Sequence, residues 1–274
     1  MVCIVTDLNE LIVTLDDAKK LHSHYATIES KKELISNLAL SLNIDYDSIK
    51  SKYTIHEVYN YILTRYYPNE TAVKSSFINK VLMKGKTHVT VFELPISNSR
   101  ADLCKINGES VVYEIKTELD NYSRLPKQIN DYLKIFDKCF VICPRSKVES
   151  IKKYIPTGVG IYSYKLTQSG KFVYRQERIS EKISNYDSFE QLNILRKSEL
   201  ERLSSSDDYC SRKDLIEQIL NFYSSEQINS FFKDSIKKRY HSQWEFLRSN
   251  RDNILEIDYQ WFFKNSVKPD LVYG

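Results

Sequence analysis

Arg100-Ala101-Asp102-Leu103 and Tyr113-Glu114-Ile115-Lys116 lie on either side of an Asn107-Gly108 turn signal, and the stretch they bound decides how the chain folds. The spacing predicts two strands, with Asp102 in the first and Glu114 in the second. Side chains alternate along a strand, so Lys116 shares a face with Glu114 while Tyr113 and Ile115 point the other way. Register then matters. A two-residue Asn107-Gly108 turn would set Asp102 opposite Tyr113, on the wrong face. A three-residue connection, Asn107-Gly108-Glu109, pairs Ile106 with Ser110 and brings Asp102 opposite Glu114. The expectation is that longer connection, or a one-residue bulge in either strand. Two carboxylates side by side supply hard oxygen ligands for a Mg²⁺-type cation, and the neighbouring ammonium can hold a water or a phosphate oxygen.

Two further stretches bear on the same site. Downstream, in Arg124-Leu125-Pro126-Lys127-Gln128-Ile129-Asn130-Asp131-Tyr132, Pro126 suits the first position of a helix. Gln128 and Tyr132 then stand one turn apart on one face. Upstream, Asn69 is a good N-cap and Glu70 falls in the first turn of the next helix, where its charge suits the dipole. Glu93, an acid in the apolar run His88–Leu94, ranks below Glu70, because a carboxylate at a strand edge can be solvated or paired with Arg100.

The spacing D-x(11)-E-x-K, with Arg-Ala-Asp in place of Pro-Asp, resembles the PD-(D/E)XK nuclease superfamily. The Gln128/Tyr132 helix looks like the Q-x-x-x-Y helix of its RecB-like branch, and similar small bacterial and phage proteins carry a helical tail after such a core. The resemblance covers roughly residues 68–145. It implies a restriction-endonuclease-like α/β core, a mixed central sheet flanked by helices, with helical additions at both ends. It implies a Mg²⁺- or Mn²⁺-dependent nuclease that hydrolyses phosphodiester bonds, most naturally in DNA. By that likeness Asp102, Glu114 and the Ile115 backbone carbonyl hold the metal, Lys116 positions the attacking water, and Glu70 reaches the metal directly or through water. Gln128 and Tyr132 belong to the site without being ligands. Arg100 and Arg124 are candidates for phosphate contact, since guanidinium forks suit that geometry. Two alternatives stay open: a non-catalytic nucleic-acid-binding or interaction protein on the same fold, and an RNA-directed nuclease.

The 274 residues allow one large domain or a core with an appended subdomain, and 42% hydrophobic with 28% charged residues is a globular composition. Net charge is only +4, which permits nucleic acid without arguing for it. Five scattered cysteines with no C-x-x-C pair indicate neither zinc nor a disulfide framework. Cys104, Cys139 and Cys143 read as buried thiols, and a reducing cytoplasm follows. Met1–Val5 lacks the basic start of a leader, and no apolar run reaches membrane-spanning length.

Taken in order, residues 1–66 read as a helical region, with capping-box spacing at Ser30/Glu33 and Thr54/Glu57. Residues 67–179 form the nuclease-like core: helix 70–83, strands 88–96, 100–106 and 110–117, helix 126–136, strand 139–143, helix 147–155 opened by a Ser146/Glu149 box, then a hairpin over 158–175. Residues 180–274 return to helix. Ser224-Ser225-Glu226 divides two short helices there, and Lys237-Lys238-Arg239 is expected at a helix C-terminus. This helical tail is expected to place substrate or to contact a protein partner or a second copy of the chain. His22 and His24 form an H-x-H pair with no third ligand in sight and read as solvated or partly buried imidazoles.

Overall fold

The computed structural model describes residues 5–85, 87–204 and 210–274. Met1–Ile4, on which the leader reading rests, lie outside them. Helices α1 (Leu15–Ser23), α2 (Lys31–Leu42), α3 (Ile55–Tyr66) and α4 (Glu70–Phe77) precede β1 (Val89–Ile96), β2 (Ser99–Asn107) and β3 (Glu109–Ile115). Then come α5 (Leu125–Leu133), β4 (Lys138–Pro144), α6 (Val148–Ile151), β5 (Gly160–Leu166) and β6 (Phe172–Arg178). The chain closes with α7 (Ser188–Ile194), α8 (Lys197–Glu201), α9 (Arg212–Phe222), α10 (Ser225–Ser249), α11 (Tyr259–Asn265) and α12 (Asp270–Tyr273). The fold is mixed α/β, a six-stranded mixed sheet with flanking helices, as the sequence leads one to expect. No described helix is long and apolar enough to cross a membrane.

Two compact units share the chain. The first comprises Met1–Met83, Leu166–Val173 and Phe246–Gly274, and the second Lys84–Lys165 and Tyr174–Glu245. In the first, α1 and α3 start at reciprocal capping boxes, Thr14 with Asp17 and Thr54 with Glu57. Ser30 accepts from Glu33 N at the start of α2. Their apolar faces close a core of Leu21, Leu34, Leu38, Val58, Tyr59 and Ile62. Asn69 caps α4 as expected, accepting from Ala72 N at 2.9 Å. The helix expected to run to 83 instead winds as a π-helix over Ile78–Leu82.

The second unit holds the sheet, in the order β1-β2-β3-β4-β5-β6. β1, β2 and β3 are antiparallel neighbours, and β3, β4 and β5 run parallel. β4 is buried from Cys139 to Pro144, the continuous apolar run of a strand covered on both faces. Cys104, Cys139 and Cys143 are buried free thiols. Helix α5 links β3 to β4 and packs on β2 and β4, presenting Leu125, Ile129 and Tyr132 at helical spacing to the sheet. It begins one residue earlier than expected, so Pro126 takes the second position.

Several expectations need correcting. The third strand ends at Ile115, although Lys116 N still donates to Ile142 O at 2.8 Å. No capping box forms at Ser146, whose hydroxyl donates instead to Glu118 Oε1 at 2.5 Å. The helix that follows is only Val148–Ile151, after a 3-10 turn at Arg145–Lys147. In the tail the second helix is not short: α10 runs 25 residues, so Lys237-Lys238-Arg239 lies in its interior and not at a C-terminus. His22 and His24 fall at the end of α1 and its C-cap, where residues two apart do not share a face.

Candidate active site

Backbone register comes first. Ile106 pairs with Ser110, Asn107 with Glu109 and Leu103 with Tyr113, so the connection is the longer one and Asp102 stands across from Glu114 where the ladder ends. On the other side, Phe92 pairs with Leu103 and Leu94 with Ala101, which leaves Glu93 across from Asp102. Three acids thus align across β1, β2 and β3. Glu93 interrupts its ladder at φ 54°, the left-handed region that a glutamate occupies only when its surroundings impose it. Gly108, at φ 73°, makes the β2–β3 connection without that cost.

The side chains converge on this row. Asp102 Oδ2 accepts from Ile115 N at 2.6 Å, which locks the aspartate onto the neighbouring strand. Glu114 receives Lys116 Nζ on Oε1 at 2.7 Å and the Tyr132 hydroxyl on Oε2 at 2.8 Å. Lys116 Nζ also donates to Gln128 Oε1 at 3.1 Å, and the Tyr132 hydroxyl lies 2.9 Å from Arg100 O. Both members of the Gln128/Tyr132 pair therefore reach the site, one through the lysine and one through the glutamate. Glu93 and Asp102 bring carboxylate oxygens within 4.8 Å of one another.

These groups sit in poor solvent. Glu114 is 1% exposed, Asp102 8% and Lys116 9%. Burial would lower the Lys116 ammonium, but the charge and hydrogen bond of Glu114, with the charges of Asp102 and Asp120, outweigh it and hold the group above its ordinary value. Lys116 is thus a donor and a positive charge here, not a base. Burial, then the charges of Glu114 and Asp102, push the Tyr132 phenol far up, so it too acts as a donor. Carboxylates facing each other across strands repel. Lys116 and Arg100 stand against three aligned acids, so these five groups keep one negative charge in excess and several oxygen donors, which suits a hard dication.

Arg100 Nε pairs with Glu93 Oε2 at 2.6 Å, the pairing that had argued for ranking Glu93 low, yet the Glu93 side chain is only 8% exposed and stands in the acid row. Arg124 is exposed at the N-cap of α5. Glu70 belongs to the first unit, at the first position of α4, where it pairs with the buried Lys74 at 2.8 Å. Sequence reasoning gave no role to Asp120, which accepts from Thr117 N and Oγ1 at 2.7 Å and shapes the turn after Lys116. A Thr-x-x-Asp spacing directly after the lysine was its only signal.

Residues 64–260 match the family model described as Bacteriophage P4 protein cII. That span contains every residue of the site above. Protein cII of Enterobacteria phage P4 is 28% identical over 183 residues, covering 63% of this chain and 68% of that protein. Among solved structures, a protein of unknown function from Silicibacter pomeroyi aligns with 54% of this chain and 80% of its own, at 15% identity and a TM-score of 0.31.

Proposed function

The chain belongs to the Bacteriophage P4 protein cII family, and we propose that it is a divalent-cation-dependent nuclease of the PD-(D/E)XK type, nearest the RecB-like branch, acting on DNA. The observation that carries this reading is the meeting of Lys116 Nζ with Glu114 at 2.7 Å and Gln128 at 3.1 Å, on the strand that faces Asp102. Lysine, acid and amide come from sequence positions whose only common logic is the motif. The site also lies where the parallel strands β3 and β4 reach their carboxyl ends, the usual seat of chemistry in such sheets.

In this reading Asp102 and Glu114, with the Ile115 carbonyl, hold Mg²⁺ or Mn²⁺, and Glu93 adds a third carboxylate to that end of the sheet. The bound ion supplies a water acidic enough to attack near neutral pH and neutralises the phosphate. Lys116, kept protonated, steadies the attacking oxygen or a non-bridging phosphate oxygen. Gln128 fixes where that ammonium points. Tyr132 fixes Glu114, and its high phenol value means it keeps its proton throughout. Arg124, exposed at the head of α5, offers a fork to a flanking phosphate.

The test is incubation of the pure protein with labelled linear, circular and single-stranded DNA and with RNA, in Mg²⁺, Mn²⁺ or EDTA. Cleavage of DNA that needs the ion and disappears in Glu114→Ala and Lys116→Ala is the expected result. Cleavage that survives in both variants would sink the assignment, as would binding with no cleavage under any ion. A clear preference for RNA would move the substrate class and keep the chemistry.

A further inference from the structure

A cavity of about 510 Å³ opens in the second unit beside α8 and α10, lined by Arg196, Arg202, Lys238 and Arg239 among others. Arg239 is already committed, its Nε donating to Glu199 Oε1 at 2.8 Å. Among the described residues neither Arg202 nor Lys238 has a carboxylate within 4 Å. Once Arg239 and Glu199 cancel, three cations face one remaining acid of the lining, Asp234. Arg239 also borders a second hollow of about 310 Å³, lined by Leu94 and Pro95 on β1, Ser97 just after it, and Tyr240 among others. The two hollows therefore meet at one shared arginine.

We propose that these two hollows form one track that holds the phosphodiester backbone of a nucleic-acid strand, with Arg202 and Lys238 neutralising phosphates. Three features favour a strand over a small phosphate. The track is elongated, two hollows in series, where a free anion needs one. Arg196 and Arg202 are exposed long side chains at opposite ends of α8, spaced for successive charges and not closed into a fork around one group. Phe231 and Tyr240 line the hollows beside the cations and are side chains of the kind on which unpaired bases stack. The inference rests on the nuclease reading only for the choice of nucleic acid as ligand.

Binding is measured on the full chain in EDTA, where no cleavage interferes, by fluorescence anisotropy of a labelled single-stranded and a labelled duplex oligonucleotide over a range of salt. Arg202→Glu with Lys238→Glu is expected to weaken binding at least about tenfold and to reduce the slope of log K against log salt by about two, roughly one per lost phosphate contact. Lys213→Glu, whose side chain on α9 is 84% exposed and outside both hollows, serves as the control and should change neither. If the reversals unfold the protein, seen by circular dichroism, Arg202→Gln with Lys238→Gln should still lower the slope. Wild-type affinity and slope in the charge variants would overturn the proposal. So would displacement of the strand by a mononucleotide at equal concentration, which would make the cavity a small-anion site. The two readings separate cleanly: binding that depends on Arg202 and Lys238 without metal-dependent cleavage removes the nuclease, and cleavage with binding indifferent to both residues removes the track.

Discussion

The β3–β4 pair carries a buried acid at each end, and the two are treated in opposite ways. At the start of the pair, Asp137 is 1% exposed and accepts from Ser110 N at 2.6 Å, Ser110 Oγ at 3.0 Å and the Tyr186 hydroxyl at 2.6 Å. Asn229 Nδ2 at 3.1 Å and Lys233 Nζ at 3.3 Å complete the set. Five donors from four residues, on β3, before α7 and on α10, satisfy the lone pairs of this carboxylate, so it fastens the sheet to α10 and to the segment before α7. At the other end three acids face each other, with Lys116 on Glu114 and Arg100 on Glu93. Five donors on one acid hold structure; mutually repelling acids at a left-handed backbone residue are, in the function proposed above, kept for chemistry.

The largest effects should come from exchanging the two ends. Asp137→Ala strands Lys233, Asn229 and Tyr186 without their shared acceptor, and a loss of about 3–5 kcal/mol is expected, the scale for breaking a buried hydrogen-bonded pair. Asp102→Asn keeps an oxygen for Ile115 N and removes a repelling charge, so urea unfolding should show stability unchanged or slightly raised. Cleavage in the same variant should fall about a thousandfold, or about 4 kcal/mol in the barrier. Stability lost in Asp102→Asn and kept in Asp137→Ala would reverse the assignment of the two ends. Truncation before Ser180 belongs here too. It removes Tyr186, Asn229 and Lys233 and the Phe232 ring that packs edge-on against Phe136 at 6.1 Å. Insoluble protein is the expected outcome, and a soluble, folded fragment would show the tail to be a separable module.

How far the sequence carried the reading follows from the range of each signal. The acid–lysine strand, the hairpin register and the Gln128/Tyr132 face were legible because strand period, turn chemistry and helix period are local. Asp137 was not: its partners lie 27 to 96 residues away, and no local pattern distinguishes it from a solvated acid before a strand. Glu93 was underrated for a related reason. Its ion pair with Arg100 was foreseeable, but its left-handed backbone and its place opposite Asp102 depend on the β1–β2 register. The length of α10 could have been read, since no glycine or proline interrupts the chain between Ser225 and Pro269. The Lys237-Lys238-Arg239 run alone, which suits a helix C-terminus, points the other way.

Gln128 and Tyr132 test the site end at finer grain. Each makes a hydrogen bond to a charged group, so Gln128→Ala and Tyr132→Phe should each lower cleavage about ten- to a hundredfold. Metal affinity by calorimetry should stay near wild type in both, because neither is a ligand. Tyr132→Phe leaves Glu114 Oε2 short of a donor in a site from which water is largely excluded, so it should cost the more of the two. Wild-type rates in both variants would reduce α5 to packing and remove the reason for preferring the RecB-like branch.

The smallest expected effect is a difference in which extreme of pH loosens each end. Burial alone would raise the Asp137 carboxyl, but hydrogen bonds from Tyr186, Ser110 N and Asn229 and the charge of Lys233 hold it below its ordinary 3.8. A depressed carboxyl contributes stability that is present above 3.8 and is lost as pH falls through the folded value. Lys116 is shifted the other way, above 10.5, and the stability from its pairing is present below that value and lost as pH rises through the folded one. Acid should therefore weaken the Asp137 end and alkali the Glu114 end. Urea unfolding followed downward from about pH 5 should lose up to about 1.4 kcal/mol per pH unit to this one group, and Asp137→Asn should flatten that slope by up to one proton. Equal acid slopes in wild type and Asp137→Asn would mean that the five donors do not favour the ionised form, and the contrast between the two ends would lose its electrostatic basis.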